Sequence, residues 1–226
     1  MRNYLICALL ALFSTTLTAT NRLVDIDRTG SVFFAPKLGI SYPMGALADA
    51  NYKLIASSWR KEGITLTGEF GYYITKSTVA GMELSYSNFH PKSVSIFPDG
   101  VDESRVRFRR GGIFMQYYMV STGKYRPFVK LGLGLFEANR ISLPQIVEDE
   151  VVYKDYSLGA KPVYSFGLGV HGSVTPNISL TFSIEAVSLN SFSSAWETSG
   201  ATLGPLRKNM LFFPVYFGMM YHLSDE

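Results

Sequence analysis

The chain carries a single cysteine, Cys7, in 226 residues. Beyond that position nothing can form a disulfide, build a zinc–thiolate site or serve as a thiol nucleophile. Charge of one sign is also missing: 21 Lys and Arg face 18 Asp and Glu, and the basic residues are scattered rather than grouped in runs. That balance removes the electrostatic footprint of a nucleic-acid-binding protein. Long apolar runs are absent as well. The longest, Leu5 to Phe13, has nine residues, about half of the roughly 18 that a membrane-spanning helix requires. A mean hydropathy of +0.12 is likewise too low for a bundle of such helices. No catalytic or cofactor motif rises above background.

The short apolar run does have a meaning set by its place. Arg2 precedes it, and Ser14, Thr15, Thr16, Leu17, Thr18 and Ala19 follow it. A basic start, a short apolar stretch and small residues make a secretory signal peptide. Residues 1–19 are therefore expected to be a cleaved leader, and 20–226 one β-barrel domain. Cys7 falls inside the leader and lacks the small residues before it that lipoprotein processing needs. Loss of Arg2 brings the basic count to 20 (21 − 1) against 18 acids.

What the rest of the chain has in abundance is alternation. Ile64, Leu66, Phe70, Tyr72 and Ile74 share one parity, and Thr65, Thr67, Glu69 and Gly71 the other. A period of two marks a strand with two different faces. Eight such segments are legible: Val32–Tyr42, Gly63–Ile74, Thr78–Phe89, Arg105–Val120, Tyr125–Asn139, Pro162–Val174, Ile178–Asn190 and Met210–Leu223. Most exceed the about 5–6 residues of an ordinary strand and reach the about 9–11 that cross a bilayer when tilted. Between them, tight polar turns (Thr75–Ser77, Ser121–Lys124, Thr175–Asn177) alternate with long connections (Pro43–Glu62, His90–Ser104, Ile141–Lys161, Ser191–Asn209). Short turns on one side and long loops on the other are the arrangement of outer-membrane barrels. The expected fold is all-β, an eight-stranded antiparallel up-and-down transmembrane β-barrel.

The chemistry of the two faces decides which one points inward. One carries Leu38, Ile40 and Tyr42, then Met82, Leu84 and Tyr86, then Leu131, Leu133 and Leu135, then Phe217, Met219 and Tyr221. The opposite face carries Lys37, Glu69, Glu83, Lys130 and Glu185 among Gly, Ser and Thr. A sandwich core has no place for those charges, whereas a small polar lumen pairs them. Glu69, Glu83, Lys130 and Glu185 thus form the candidate lumenal charge network, with Arg109 as a further candidate member. The apolar face must meet lipid. Tyr72, Tyr73, Tyr117, Tyr118, Tyr125 and Tyr221 are expected in an aromatic girdle at the short-turn end, and Tyr42, Tyr86, Phe89 and Tyr164 at the other. A bulge or kink is expected at Gly111-Gly112, where the arginine-bearing part of the fourth segment gives way to an apolar one.

On these residues the chain resembles the small outer-membrane barrels of the OmpX-like and OmpW-like porin families. The opening Lys37-Leu38-Gly39-Ile40-Ser41-Tyr42-Pro43-Met44-Gly45 looks like porin-family sequences of Bacteroidetes type. The last strand, with Val215, Phe217, Met219, Tyr221 and Leu223, resembles the signal read by the barrel-assembly machinery, although the chain runs on through Ser224-Asp225-Glu226 where the family ends on Phe. The resemblance implies a monomer in outer-membrane lipid and lipopolysaccharide, without cofactor or metal, and with an unnamed extracellular partner.

Three function classes remain in view. The first is a non-enzymatic structural or surface-interaction barrel acting through its long loops. The second is a narrow channel, suggested by lumenal glycines such as Gly132, Gly134 and Gly169 that remove bulk. The third is a lipid A-modifying enzyme, suggested only by the His-x-Ser spacings at His171/Ser173 and His222/Ser224. Glu148-Asp149-Glu150 reads as a solvated acidic run with a weaker alternative as a cation site, and rim cations such as Lys92, Arg105, Arg107, Arg140 and Lys154 are placed to meet lipid phosphates.

Overall fold

The computed structural model describes residues 27–45, 62–89, 106–147, 150–189 and 210–223. The expected leader, 1–19, and the loops 46–61, 90–105 and 190–209 lie outside them. Eight strands account for the regular structure: β1 Val32–Gly45, β2 Gly63–Tyr73, β3 Thr78–Phe89, β4 Val106–Tyr118, β5 Tyr125–Val147, β6 Glu150–Ser173, β7 Ile178–Leu189 and β8 Met210–Leu223. Each is antiparallel to the next, and β8 returns to β1, so the sheet closes into a barrel with no open seam.

Alternation carries through the barrel-wall part of every strand. In β2, residues Gly63 to Tyr73 alternate buried and outward-facing without a break in phase. The outward positions hold the large apolar side chains, among them Leu84 at 72% exposure, Ile113 at 64% and Leu135 at 60%. So much exposed apolar surface is incompatible with water and is what a lipid-facing wall requires. Even the 11 residues of β2, at about 3.3 Å each, cross an apolar band about 25 Å tall when tilted by about 40°.

The tight turns close the barrel at one end by a shared device. Thr75 Oγ1 accepts the backbone N–H of Thr78 at 3.0 Å, and Thr175 Oγ1 accepts that of Ile178 at 3.0 Å. In both turns the threonine hydroxyl supplements a longer main-chain bond, 3.4 Å from the same N–H to the threonine carbonyl. The third turn uses Gly123, whose φ of 111° is a left-handed conformation that glycine adopts without a Cβ clash.

Three sequence expectations are corrected. The first is the loop Ile141–Lys161. It is instead a continuation of β5 and β6, paired from Ile141↔Tyr156 to Val147↔Glu150. Leu143, Ile146, Val147, Val151, Val152 and Tyr153 are strand-forming residues, and Pro144 and the acidic run had masked that signal. The ribbon leaves the barrel through irregular pairing between Phe136 and Ala138 and again between Ala138 and Ile141. Of the acidic run, Glu150 begins β6, and 148–149 lie outside the described residues.

The second correction is the bulge at Gly111-Gly112. The register runs unbroken through both glycines on β3 and on β5. Arg107 and Arg109 lie on the same outward face as Ile113 and Met115. The change from charged to apolar marks where one face leaves the lipid band, not a change of phase. The third correction concerns the girdles. Tyr72, Tyr117, Tyr125 and Tyr221 do face outward, but Tyr73, Tyr118 and Phe89 are buried in the lumen.

A barrel of this kind unfolds only when its closed hydrogen-bonded wall is broken. The mature protein is expected to fractionate with the outer membrane and to migrate faster on a denaturing gel unheated than boiled. Recovery in the soluble periplasmic fraction would contradict a lipid-facing wall.

Candidate functional site: a packed lumen

Inward-facing residues fill the barrel in three tiers. The middle tier is ionic. Lys130, reaching in from β5, places its Nζ 2.6 Å from Glu69 Oε1, 2.5 Å from Glu83 Oε2 and 2.9 Å from Glu185 Oε1. An ammonium has three N–H donors, and here each has a carboxylate. Lys37 Nζ lies 2.7 Å from Glu69 Oε1, and Arg110 Nη2 lies 3.2 Å from Glu83 Oε1 and 3.1 Å from Glu185 Oε2. Three cations thus meet three anions, none more than 5% exposed.

The need for Lys130 follows from the wall itself. Glu69 and Glu83 stand directly opposite one another on β2 and β3, a like-charge pair that destabilises a sheet on its own. Lys37 and Arg110, on the adjoining strands, each meet one member of the pair, and Lys130, arriving across the lumen, bridges both. The carboxylates of Glu69, Glu83 and Glu185 converge closely enough to hold a metal ion, and the Lys130 ammonium is the cation that sits among them.

All four sequence-derived candidates are therefore brought together by the barrel. Arg109 is not among them: it faces outward on β4 in register with Glu137, and its neighbour Arg110 has the inward parity. Reading parity from Phe108, Phe114 and Tyr118 would have found it.

Toward the tight turns the lumen becomes aromatic. Tyr73 and Tyr118 stack with ring centroids 6.1 Å apart and share a 3.1 Å contact between their hydroxyls. The Tyr118 hydroxyl also lies 2.6 Å from His171 Nδ1, and His222 Nε2 lies 3.0 Å from Ser179 Oγ. Arg126 spreads its guanidinium 3.8 Å from the Tyr118 ring centroid and donates to the Lys76 carbonyl, while Arg28 donates to the Pro176 carbonyl at 3.1 Å. Two buried arginines thus tie this tier to the turns beneath it. The serine that meets His222 belongs to the neighbouring strand, and Ser224 lies outside the described residues. A hydrolytic triad also needs an acid to orient its histidine; among the described residues the buried carboxylates Glu69, Glu83 and Glu185 are engaged with Lys130 one tier away.

Toward the long connections, four phenylalanines close a ring. Phe89 to Phe108, Phe108 to Phe136, Phe136 to Phe212 and Phe212 to Phe89 have centroid separations of 5.4, 4.7, 6.3 and 6.1 Å. Beneath them runs a ladder of hydroxyls, Ser41–Thr65 at 2.6 Å and Thr65–Ser87 at 2.8 Å.

The lumenal glycines, read from the sequence as emptying the interior, do the reverse. Gly169 stands opposite a ring that occupies its space, Gly132 lies against Ser165, and Gly134 lies against the backbone of Gly111 and Gly112. Phe33 faces Gly71, Phe114 faces Gly81 and Phe128 faces Gly169 across the ladders. A Cβ on Gly169 would lie 2.4 Å from the Phe128 ring, and one on Gly132 2.2 Å from Ser165 Oγ. Such glycine–aromatic cross-strand pairs let rings lie flat against the wall and fill the centre.

No family model matches the chain, and no curated protein matches it in sequence. Solved structures match it in fold. Neisserial surface protein A superposes with a TM-score of 0.56 at 13% identity, over 84% of this chain and 96% of that one. The outer membrane protein OprG from Pseudomonas aeruginosa does so with a TM-score of 0.51 at 10% identity, over 88% of this chain and 98% of that one. The chain therefore has the fold of the small eight-stranded outer-membrane barrels.

Replacing Lys130 by Met should lower the urea unfolding midpoint in detergent or lipid, by the equivalent of roughly 3–5 kcal/mol, because three carboxylates lose their shared cation. Adding Glu69→Gln should recover part of the loss. An unchanged midpoint for the single variant would mean that water already solvates those carboxylates.

Proposed function

We propose that this is a non-enzymatic outer-membrane barrel that does not conduct, serving as a rigid scaffold for recognition at its long-loop end. The observation that carries this reading is the lumen: a neutral six-residue ionic tier lies between an aromatic tier and a closed phenylalanine ring. An eight-stranded interior is just wide enough for side chains to fill. Supporting the orientation is the segregation of tight turns to one end, which outer-membrane barrels keep in the periplasm.

The working surface is then the far end. There the β5–β6 ribbon continues about ten residues past Glu137, on the order of 30 Å of paired strand. Loops and ribbons on a rigid scaffold are where recognition resides. Its partner is an extracellular surface of unnamed chemistry. The last strand, paired on both sides, serves as the signal read by the assembly machinery, and the barrel works as a monomer.

A narrow channel is the second reading, favoured by one observation. Gln116, Thr67, Thr181 and Ser183 bury side-chain polar atoms with no protein partner, which implies internal water beside the ionic tier.

Planar-bilayer recording decides between them. The refolded barrel should give no single-channel steps. Regular steps that vanish on enlarging Gly132 would overturn the scaffold in favour of a channel. Replacing 141–161 by a short turn should leave the unheated gel shift intact while removing binding to the partner surface.

A further inference from the structure

The glycines of this barrel fall into two kinds. Those facing the lumen are dictated by space: a Cβ on Gly71, Gly81 or Gly169 would come within 2.4 Å of a ring carbon or a carbonyl oxygen. Gly68 and Gly111 face outward and are different. A Cβ on Gly68 would meet only Phe34 Cε2 at 3.7 Å, and one on Gly111 only Leu84 Cδ2 at 3.3 Å. Neither has a positive φ. Nothing within the barrel requires them to be small, although glycine weakens a strand.

Their positions suggest an external reason. Gly68 and Gly111 flank Leu84 in a single row across the wall, continued by Pro36 on β1 and Leu135 on β5. The row opens into a groove of about 740 Å³ on the outer wall, within the roughly 300–1,000 Å³ of small-molecule sites. Its floor is apolar and its long-loop end is not. The next row toward the loops pairs Tyr86 with Arg109 and Arg109 with Glu137, and Arg107 lies one row further, opposite Asn88. These arginines stand where the face leaves the lipid band, the level at which lipid head groups lie. Arg109 and Glu137 adjoin, and Arg107, in register with Asn88 and Asn139, adds a second positive charge to this corner.

We propose that this groove holds an acyl chain of a phosphorylated glycolipid of the outer leaflet, with its phosphate on Arg107 and Arg109. Guanidinium binds phosphate through paired N–H donors, and the glycines give the chain a seat against the backbone. The choice of a glycolipid rests on the orientation argued under the proposed function, which puts the long-loop end in the outer leaflet.

The test uses the refolded full barrel in mild detergent, offered purified lipid A, dephosphorylated lipid A or phosphatidylglycerol, with bound lipid read by native mass spectrometry. One lipid A per barrel should be retained, and dephosphorylated lipid A should be held about tenfold less. Two double variants should each lower retention about tenfold: Arg107→Gln with Arg109→Gln, which removes the charge, and Gly68→Leu with Gly111→Leu, which fills the groove. The filled variant should keep its unheated gel shift, because leucine fits a lipid-facing strand better than glycine does, so loss of lipid there is not loss of fold. Equal retention of lipid A by the filled variant would overturn the groove. Equal retention of phosphatidylglycerol would overturn the glycolipid assignment. A dimer of the unmodified barrel that the filled variant loses would show the groove to be an interface between copies. Conductance is a separate readout: a conducting barrel that holds lipid A refutes only the scaffold reading, and a silent barrel without lipid refutes only this one.

Discussion

Everything inside this barrel is arranged around one ammonium group. Among the described residues Lys130 is the one cation that meets all three carboxylates; without it Glu69 and Glu83, opposed on adjacent strands, would keep only Lys37 and Arg110 as separate partners and lose the group that joins them. Isolated buried charges cost several kcal/mol each, and attraction between them repays that only when geometry and hydrogen bonding are good. Here the geometry comes from closure, because the six charged groups arise on β1, β2, β3, β4, β5 and β7. The wall positions the ions, and the ions hold opposite parts of the wall at a fixed separation.

The two flanking tiers make that arrangement possible by excluding bulk water. Rings lie over glycines on neighbouring strands, so the wall accepts large side chains at small radius. The phenylalanine ring at one end and the Tyr73–Tyr118–His171 group at the other confine the ionic tier to a low-dielectric interior. In such an interior each hydrogen bond is stronger and each missing one costs more.

Much of this was legible in the sequence because a strand has only two faces. Parity alone separated Lys37, Glu83, Lys130 and Glu185 from Leu38, Leu84, Leu131 and Ile184, and the barrel keeps that division. What parity cannot give is distance across the lumen. That Lys130 meets three glutamates from three other strands depends on barrel radius and stagger, which no local pattern encodes. Arg110 was missed because the chemistry of its neighbours outweighed the count, and Tyr73 and Tyr118 because tyrosine suits a girdle and a core equally well. The β5–β6 ribbon was hidden by proline and acidic residues, which signal loops in a compact protein but are tolerated on an open two-stranded edge.

Closure also divides the assembly of the barrel into unequal steps. Seven of the eight ladders join strands adjacent in sequence, so their hairpins form from local contacts. The eighth joins β1 to β8, with Val32 opposite Leu223, a separation of 191 positions (223 − 32). Contacts of such high contact order form late and slowly, and until that seam closes both edges stay unsatisfied in hydrocarbon, each open group costing several kcal/mol. In the reverse direction the same seam is the lock: no strand can leave singly without exposing its two ladders to lipid. The folded state is therefore guarded by a kinetic barrier as well as by its equilibrium stability.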